Sequence, residues 1–212
     1  MFITIDGGDG SGKGLQIDLI KKWFEDNRVD FVFFHDPGDT ALGDAIRILL
    51  LDRCDLSICP KSELALFMAS RAQLISEKIR PALQEGKTVL VDRYLLSTVV
   101  YQGYAVGNNE EEIARIWSIG RSLTDSVMPD LTFVLDCPPE VAFQRLNRDK
   151  DRIESKGLEY HRRVAQGYRE AVRNWSKHAP GEAFLINADA APEKVFEEIR
   201  NVLQTRLNQL KK

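Results

Sequence analysis

The sequence predicts an α/β fold in which a parallel sheet carries helices on both faces, and three observations predict it. Five short, nearly continuous apolar runs recur near residues 2–6, 30–35, 88–92, 131–136 and 183–188, the pattern of strands buried on both faces. The segments between them repeat apolar residues at helical spacing. The first run stops at a cluster of glycines, and two others stop at an acid, Asp92 and Asp136. Polar chemistry therefore gathers at the carboxyl ends of the strands, where parallel sheets bind ligands.

Taken in order, Phe2-Ile3-Thr4-Ile5 is the first strand. Leu15, Ile17, Leu19, Ile20, Trp23 and Phe24 then place a helix that Asn27 ends. Phe31-Val32-Phe33-Phe34 reads as a short buried strand, followed by the turn His35-Asp36-Pro37-Gly38-Asp39-Thr40. Helices are predicted over residues 41–51 and 62–85, the second bent or interrupted by Pro81. Thr88–Asp92 is a strand, and helical spacing returns over 94–103 and 110–127. After the strand Leu131–Asp136, Pro138 or Pro139 opens a helix that runs into a charged stretch, Arg145 to Glu154. Residues 157–178 read as helical, Ala183–Ile186 as the last strand and Pro192–Leu210 as an amphipathic helix. With no repeat or low-complexity linker, 212 residues suit a single domain.

Lys and Arg (29) nearly balance Asp and Glu (32), which argues against a general nucleic-acid or membrane surface. Cys54, Cys59 and Cys137 form no CxxC pair and are expected to be small buried hydrophobes in a reducing compartment. No apolar run approaches membrane-spanning length and no basic leader is seen, so a cytoplasmic protein is expected.

The chemistry concentrates in Gly7-Gly8-Asp9-Gly10-Ser11-Gly12-Lys13-Gly14-Leu15. The phosphate-loop pattern is G-x-x-x-x-G-K-[ST], and Gly7, Gly12 and Lys13 satisfy all of it except the last position, where Gly14 stands. Such a turn aims backbone N–H groups and a helix dipole at one point, and Lys13 adds a mobile charge. Asp9 is an anion inside an anion-binding loop; it either points to a neutral or cationic partner such as a sugar hydroxyl, or is a solvated turn residue. Asp92 can hold Mg²⁺ directly or through water, with Arg93 forked onto a phosphate; a strand-end ion pair is the plainer reading. Arg145, Arg148, Lys150 and Arg152 form either a solvated face or a basic flap that closes on a transferring phosphoryl group.

These blocks, together with Ile46-Arg47, Leu66-Phe67-Met68-Ala69-Ser70-Arg71-Ala72-Gln73, Pro81-Ala82-Leu83, Asp92-Arg93-Tyr94, Ser97-Thr98, Tyr101-Gln102-Gly103, Pro129-Asp130-Leu131-Thr132 and Asp151-Arg152-Ile153-Glu154, resemble thymidylate kinase in order and spacing from about residue 2 to 173. The resemblance implies a three-layer α/β/α P-loop NTPase fold with a five-stranded parallel sheet and a short mobile lid, about residues 143–156. It implies a cytoplasmic homodimer that moves the γ-phosphoryl of Mg-ATP onto dTMP for dTTP synthesis, without nucleic-acid or membrane partners. Gly7, Gly8, Gly10, Ser11, Gly12, Lys13, Gly14 and Leu15 then match the ATP phosphate loop, with Arg145 on the adenine side. Arg47 and Arg93 match positions that grip the acceptor phosphate, and Pro37 belongs to the same wall. Phe67 would stack on thymine, and Arg71 would meet its exocyclic oxygen or the phosphate side. Ser97, Tyr101 and Gln102 would line base and deoxyribose, and Asp9 would meet the sugar 3′-hydroxyl. Asp92 is the implied metal ligand. Read without the family, Phe67 and Tyr101 fit a core equally well, and Arg47 and Arg71 fit a surface.

With no basic residue between Asp9 and Lys13, the catalytic arginine is expected from the lid, Arg148 first and Arg152 second. Gly14 and Leu15 replace the usual hydroxyl residues, and His35-Asp36-Pro37-Gly38-Asp39-Thr40 replaces the common Arg-Glu-Pro-Gly-Gly-Thr. Besides an active dTMP kinase, a kinase for another nucleoside monophosphate and a nucleotide-binding pseudokinase are therefore open readings.

Overall fold

A computed structural model describes residues 1–53, 55–145 and 151–210. Strands β1 (Phe2–Gly7), β2 (Phe31–His35), β3 (Thr88–Asp92), β4 (Leu131–Asp136) and β5 (Glu182–Asn187) pair in the order β2-β3-β1-β4-β5, every neighbour parallel. The chain leaves β1 toward one edge and returns to lay β4 on its other side, so the crevice where the order reverses opens at the carboxyl end of β1.

The helices are α1 (Lys13–Asp26), α2 (Ala41–Arg47), α3 (Pro60–Leu74), α4 (Arg80–Gln84), α5 (Leu95–Gln102), α6 (Glu110–Leu123), α7 (Pro139–Arg145), α8 (Leu158–Arg173), α9 (Trp175–His178) and α10 (Pro192–Leu210). Strand alternation divides the core. Ile3, Ile5, Leu90 and Phe133 meet Ile17, Ile20 and Phe24 of α1 and Val195, Ile199 and Leu203 of α10 on one face. Phe2, Val89, Val91 and Val134 meet α3, α5, α6 and α8 on the other. Each such side chain contributes roughly 1.5–3 kcal/mol by leaving water.

The five predicted strands are present within a residue or so, but the two outer ones are less buried than a continuous apolar run suggests. Both β2 and β5 are edge strands with half-exposed residues, because an edge lacks a neighbour on one side. The helix expected over 62–85 begins earlier and is broken. Pro60 opens α3, a wider π turn occupies Ile75–Ile79, and α4 starts with Pro81 in its first turn. Proline gives no N–H to the ladder, and the register shift before it absorbs the loss. The helix expected over 110–127 stops at Leu123, since Asp125 and Ser126 adopt positive φ. Cys137 is buried as expected, whereas Cys59 is exposed at the N-cap of α3 and Cys54 lies outside the described residues.

Candidate active site

At the carboxyl end of β1 the chain turns through Gly7, Gly10 and Gly12, all at positive φ. Two of them also need the absent side chain: a Cβ on Gly10 would lie 2.2 Å from the Ala142 carbonyl, and one on Gly7 would lie 2.7 Å from that of Leu135. The loop therefore packs against β4 and α7 as it delivers Gly12 to the N-terminus of α1.

Above this loop lies a cavity of about 510 Å³. One wall comes from the loop and α1 through Asp9, Gly10, Gly12, Lys13 and Gly14; a second from the end of β2 through His35, Asp36 and Pro37. Arg47 and Leu51 continue the second wall, Phe67 and Arg71 come from α3, and Ser97, Thr98, Tyr101 and Gln102 come from α5. Asp92 and Arg93 form the floor, and Arg145, Asp151, Ile153 and Glu154 close the side. Register explains the floor: Ile5 and His35 both pair with Asp92, so three strand ends finish at one level.

Arg93 organises the centre. It sits at φ 66°, an uncommon conformation for a residue with a side chain, and its contacts hold it there. Its backbone N–H donates to Ile5 at 2.9 Å. Its guanidinium pairs with Asp9 and donates to the Gly7 carbonyl at 2.8 Å, Ser97 Oγ at 3.1 Å and the Tyr168 hydroxyl at 3.2 Å. The Tyr101 hydroxyl donates to the other Asp9 oxygen at 2.8 Å. The acid in the phosphate loop thus has a cationic partner. Burial opposes its charge, but Arg93, Lys13 and the Tyr101 hydroxyl hold the Asp9 carboxyl below the ordinary range.

Lys13 folds back over the loop, donating to the carbonyls of Gly8 at 3.0 Å and Gly7 at 3.2 Å. Burial, with the Arg93 charge beside it, lowers its ammonium to about 8. Arg71 is fully buried, bonded through Nε to Asp36 at 2.5 Å and through Nη2 to Thr98 Oγ1 at 2.9 Å and the Tyr94 carbonyl at 3.1 Å. Arg47, an exposed residue, donates to the Pro37 carbonyl at 2.7 Å. Arg145 reaches the loop after β5, donating to Ala188 O at 2.9 Å.

Some expected residues stand elsewhere. Gly7, Gly8 and Ser11 lie behind the cavity lining, two of them presenting carbonyls to Lys13. Leu15 points away, half-exposed in a groove with Leu19, Pro192 and Phe196, because each helical residue turns about 100° and only Lys13 and Gly14 face inward. Arg152 faces α3 instead of the cavity, bonded to Glu63 at 2.5 Å and to the Leu50 carbonyl at 2.7 Å. Arg148 lies outside the described residues. Three residues without an expected role belong to the site. Asp6 is fully buried and accepts from Ser97 Oγ at 2.7 Å, and Tyr168 bonds Ser97 at 2.8 Å. Glu63 is the third. A buried-strand acid such as Asp6 is itself a signal; Tyr168 and Glu63 look like ordinary helix positions.

A thymidylate kinase family model matches residues 5–199. The chain belongs to the thymidylate kinase family. It is 40% identical over 201 residues to the thymidylate kinase of Kosmotoga olearia, covering 94% of this chain and 93% of that one. Identity is 33% over 207 residues to the thymidylate kinase of Clostridium novyi (96% and 98% covered) and 39% over 198 residues to that of Rhodopirellula baltica (93% and 78%). As in this family of P-loop kinases, the sheet is five-stranded and wholly parallel, with helices on both faces. Among the described residues no helix is long and apolar enough to cross a membrane.

Proposed function

We propose that this thymidylate kinase transfers the γ-phosphoryl group of Mg-ATP to dTMP, giving dTDP and ADP. The observation that carries it is the shared cavity: a phosphate loop with Lys13 on one wall, and an aromatic, amide and guanidinium wall opposite it on α3 and α5.

The ATP phosphates rest on the loop around Gly10, Gly12 and Gly14, where backbone N–H groups and the start of α1 favour negative charge. Lys13 exchanges its two carbonyl partners for phosphate oxygens. A phosphate oxygen of dTMP attacks the γ-phosphorus in line; that P–O bond forms as the bond to the β-bridging oxygen breaks, and ADP leaves with the electron pair. No covalent enzyme intermediate is needed, so the protein contributes position and charge. Arg93, fixed on four sides, and Arg47 grip the acceptor phosphate. Asp9, pinned by Arg93 and Tyr101, accepts the sugar 3′-hydroxyl. Phe67 stacks on the base, Arg71 is fixed beneath it and Pro37 closes the wall. Gln102 offers its oxygen to the base, Ser97 and Tyr101 bound the sugar, and Arg145 covers the adenine.

The site fits a Mg²⁺ ion. Asp92 borders the cavity, and its Oδ1 is buried without a hydrogen-bond partner among the described residues. No group of three acidic, His or Cys ligands surrounds it among those residues, which suits an ion that keeps its waters and leans on substrate phosphates. Asp92 would hold it, and bound Mg²⁺ would neutralise charge on the β and γ phosphates. The lid arginine of the mechanism is Arg148, since Arg152 has an anchoring partner. We place the enzyme in the cytoplasm as a homodimer, on the family resemblance; sedimentation velocity at twice the monomer mass supports the dimer and a monomer refutes it. An ADP-release assay across dTMP, dUMP, dGMP, dCMP and UMP tests the acceptor. Fastest turnover on dTMP supports the reading; another preferred acceptor, or ATP binding without turnover on any, refutes it.

A further inference from the structure

Glu63, in the first turn of α3, is 3% exposed and carries three donors. Gln102 Nε2 lies at 2.8 Å, Lys156 Nζ at 3.1 Å and Arg152 Nη2 at 2.5 Å. Burial opposes its charge, but Gln102, Arg152 and Lys156 hold the carboxyl below the usual range. An ionised carboxylate can only accept, so the Gln102 amide must direct its NH₂ group at Glu63. The opposite orientation would bring two acceptors together in a buried place. The remaining end of Gln102, Oε1, is buried and has no partner among the described residues. Gln102 lines the acceptor side of the cavity, so with its NH₂ group turned to Glu63 the oxygen is the unpartnered end of this amide.

We propose that Glu63 is a positioning residue for acceptor selectivity, fixing Gln102 with its oxygen as the free end and tying residues 151–156 to the same wall through Arg152 and Lys156. The proposal rests on the reading that Gln102 faces the base. Thymine brings a ring N–H to such an acceptor, whereas cytosine presents a bare lone pair at the same ring position, and a buried acceptor facing a lone pair is strongly disfavoured. The tie has its own geometry. Arg152 spans Glu63 and the Leu50 carbonyl, its N–H bonds Leu51 O at 3.2 Å, and Ile153 is buried beside it. Lys156 Nζ also lies 4.9 Å from the Tyr160 ring centre, and Tyr160 donates to the Tyr101 carbonyl at 2.9 Å. One carboxylate therefore joins α3, α5 and the segment before α8.

The test is calorimetric binding of dTMP and dCMP to the full chain, without ATP, for wild type, Glu63→Gln, Gln102→Met and the double variant. Glutamine at 63 can donate as well as accept, which frees the Gln102 amide to turn. The preference for dTMP over dCMP should fall by at least about tenfold in Glu63→Gln, and Glu63→Gln should have no further effect on that ratio once Gln102 is Met. A folded Glu63→Gln protein that keeps the wild-type preference overturns the role of Glu63 while leaving the base reading intact. A wild type that binds both nucleotides equally overturns both. If Glu63→Gln does not fold, Glu63→Asp, which withdraws the carboxylate by one methylene, carries the same comparison. Limited trypsin cleavage after Arg152 and Lys156 reads the tie separately: faster cutting in Glu63→Gln supports it, and an unchanged rate overturns it.

Discussion

Lys13 shows how far a single residue can be read from sequence. Its place after Gly12 identifies the phosphate loop, but nothing local shows that the ammonium folds onto Gly7 and Gly8 or that burial beside Arg93 lowers it to about 8. A lowered lysine is partly neutral above that value, and phosphate oxygens favour its charged form. ATP binding near pH 8.5 should therefore take up protons, a fraction of one per site. Calorimetry in buffers of different ionisation enthalpy should show the uptake, and Lys13→Met should abolish it. Gly14 belongs to the same scale: a Cβ there would meet nothing within 4 Å, so Gly14→Ser is accommodated. It should lower the Mg²⁺ concentration needed for half activity, and an unchanged requirement would mean that position 14 is not beside the ion. Asp9 was legible as an anomaly, an acid in an anion site, and its partners Arg93, just after β3, and Tyr101, in α5, are 84 and 92 residues away.

The elements explain why some residues of the candidate site were visible and others were not. Strands announce themselves through apolar runs, so the residues at their ends, Asp92 and Arg93, were legible with the fold. Helix positions give no such notice: Glu63 and Tyr168 share their helices with many polar and aromatic neighbours, and only packing turns them inward. Capping is the exception, because it is local. Asn109 and Glu112 form a capping box at the start of α6, each bonding the other's backbone at 3.0 and 3.1 Å. Asn109→Ala should cost about 1 kcal/mol, read as a lower midpoint in denaturant with an unchanged slope, and with kcat unaffected because α6 lines no part of the cavity. The misjudged elements have equally local causes: Pro60 and Pro81 set the ends of α3 and α4, and the edge position of β2 exposes a strand that reads as interior.

Across the whole molecule, the candidate cavity depends on a buried ion pair as well as on the two apolar cores. Arg71 and Asp36 are 1% and 2% exposed and join the end of β2 to α3 and α5. Such a pair is weak evidence for stability, yet removing one partner leaves the other charge stranded. Asp36→Ala should destabilise the fold by about 3–5 kcal/mol, and a loss below about 1 kcal/mol in urea unfolding would show that Arg71 finds another partner. The fold class was legible because all five strands leave apolar runs and the segments between them carry helical spacing. The arrangement of the cavity was legible only through the family resemblance, since its walls meet across more than a hundred residues of chain. The central claim is that these walls hold ATP and dTMP together for phosphoryl transfer. Chromatographic separation of nucleotides from purified enzyme with Mg-ATP and dTMP tests it most directly. One dTDP should form for each ADP, with little ADP formed when dTMP is omitted; ADP that accumulates without dTDP would contradict the account.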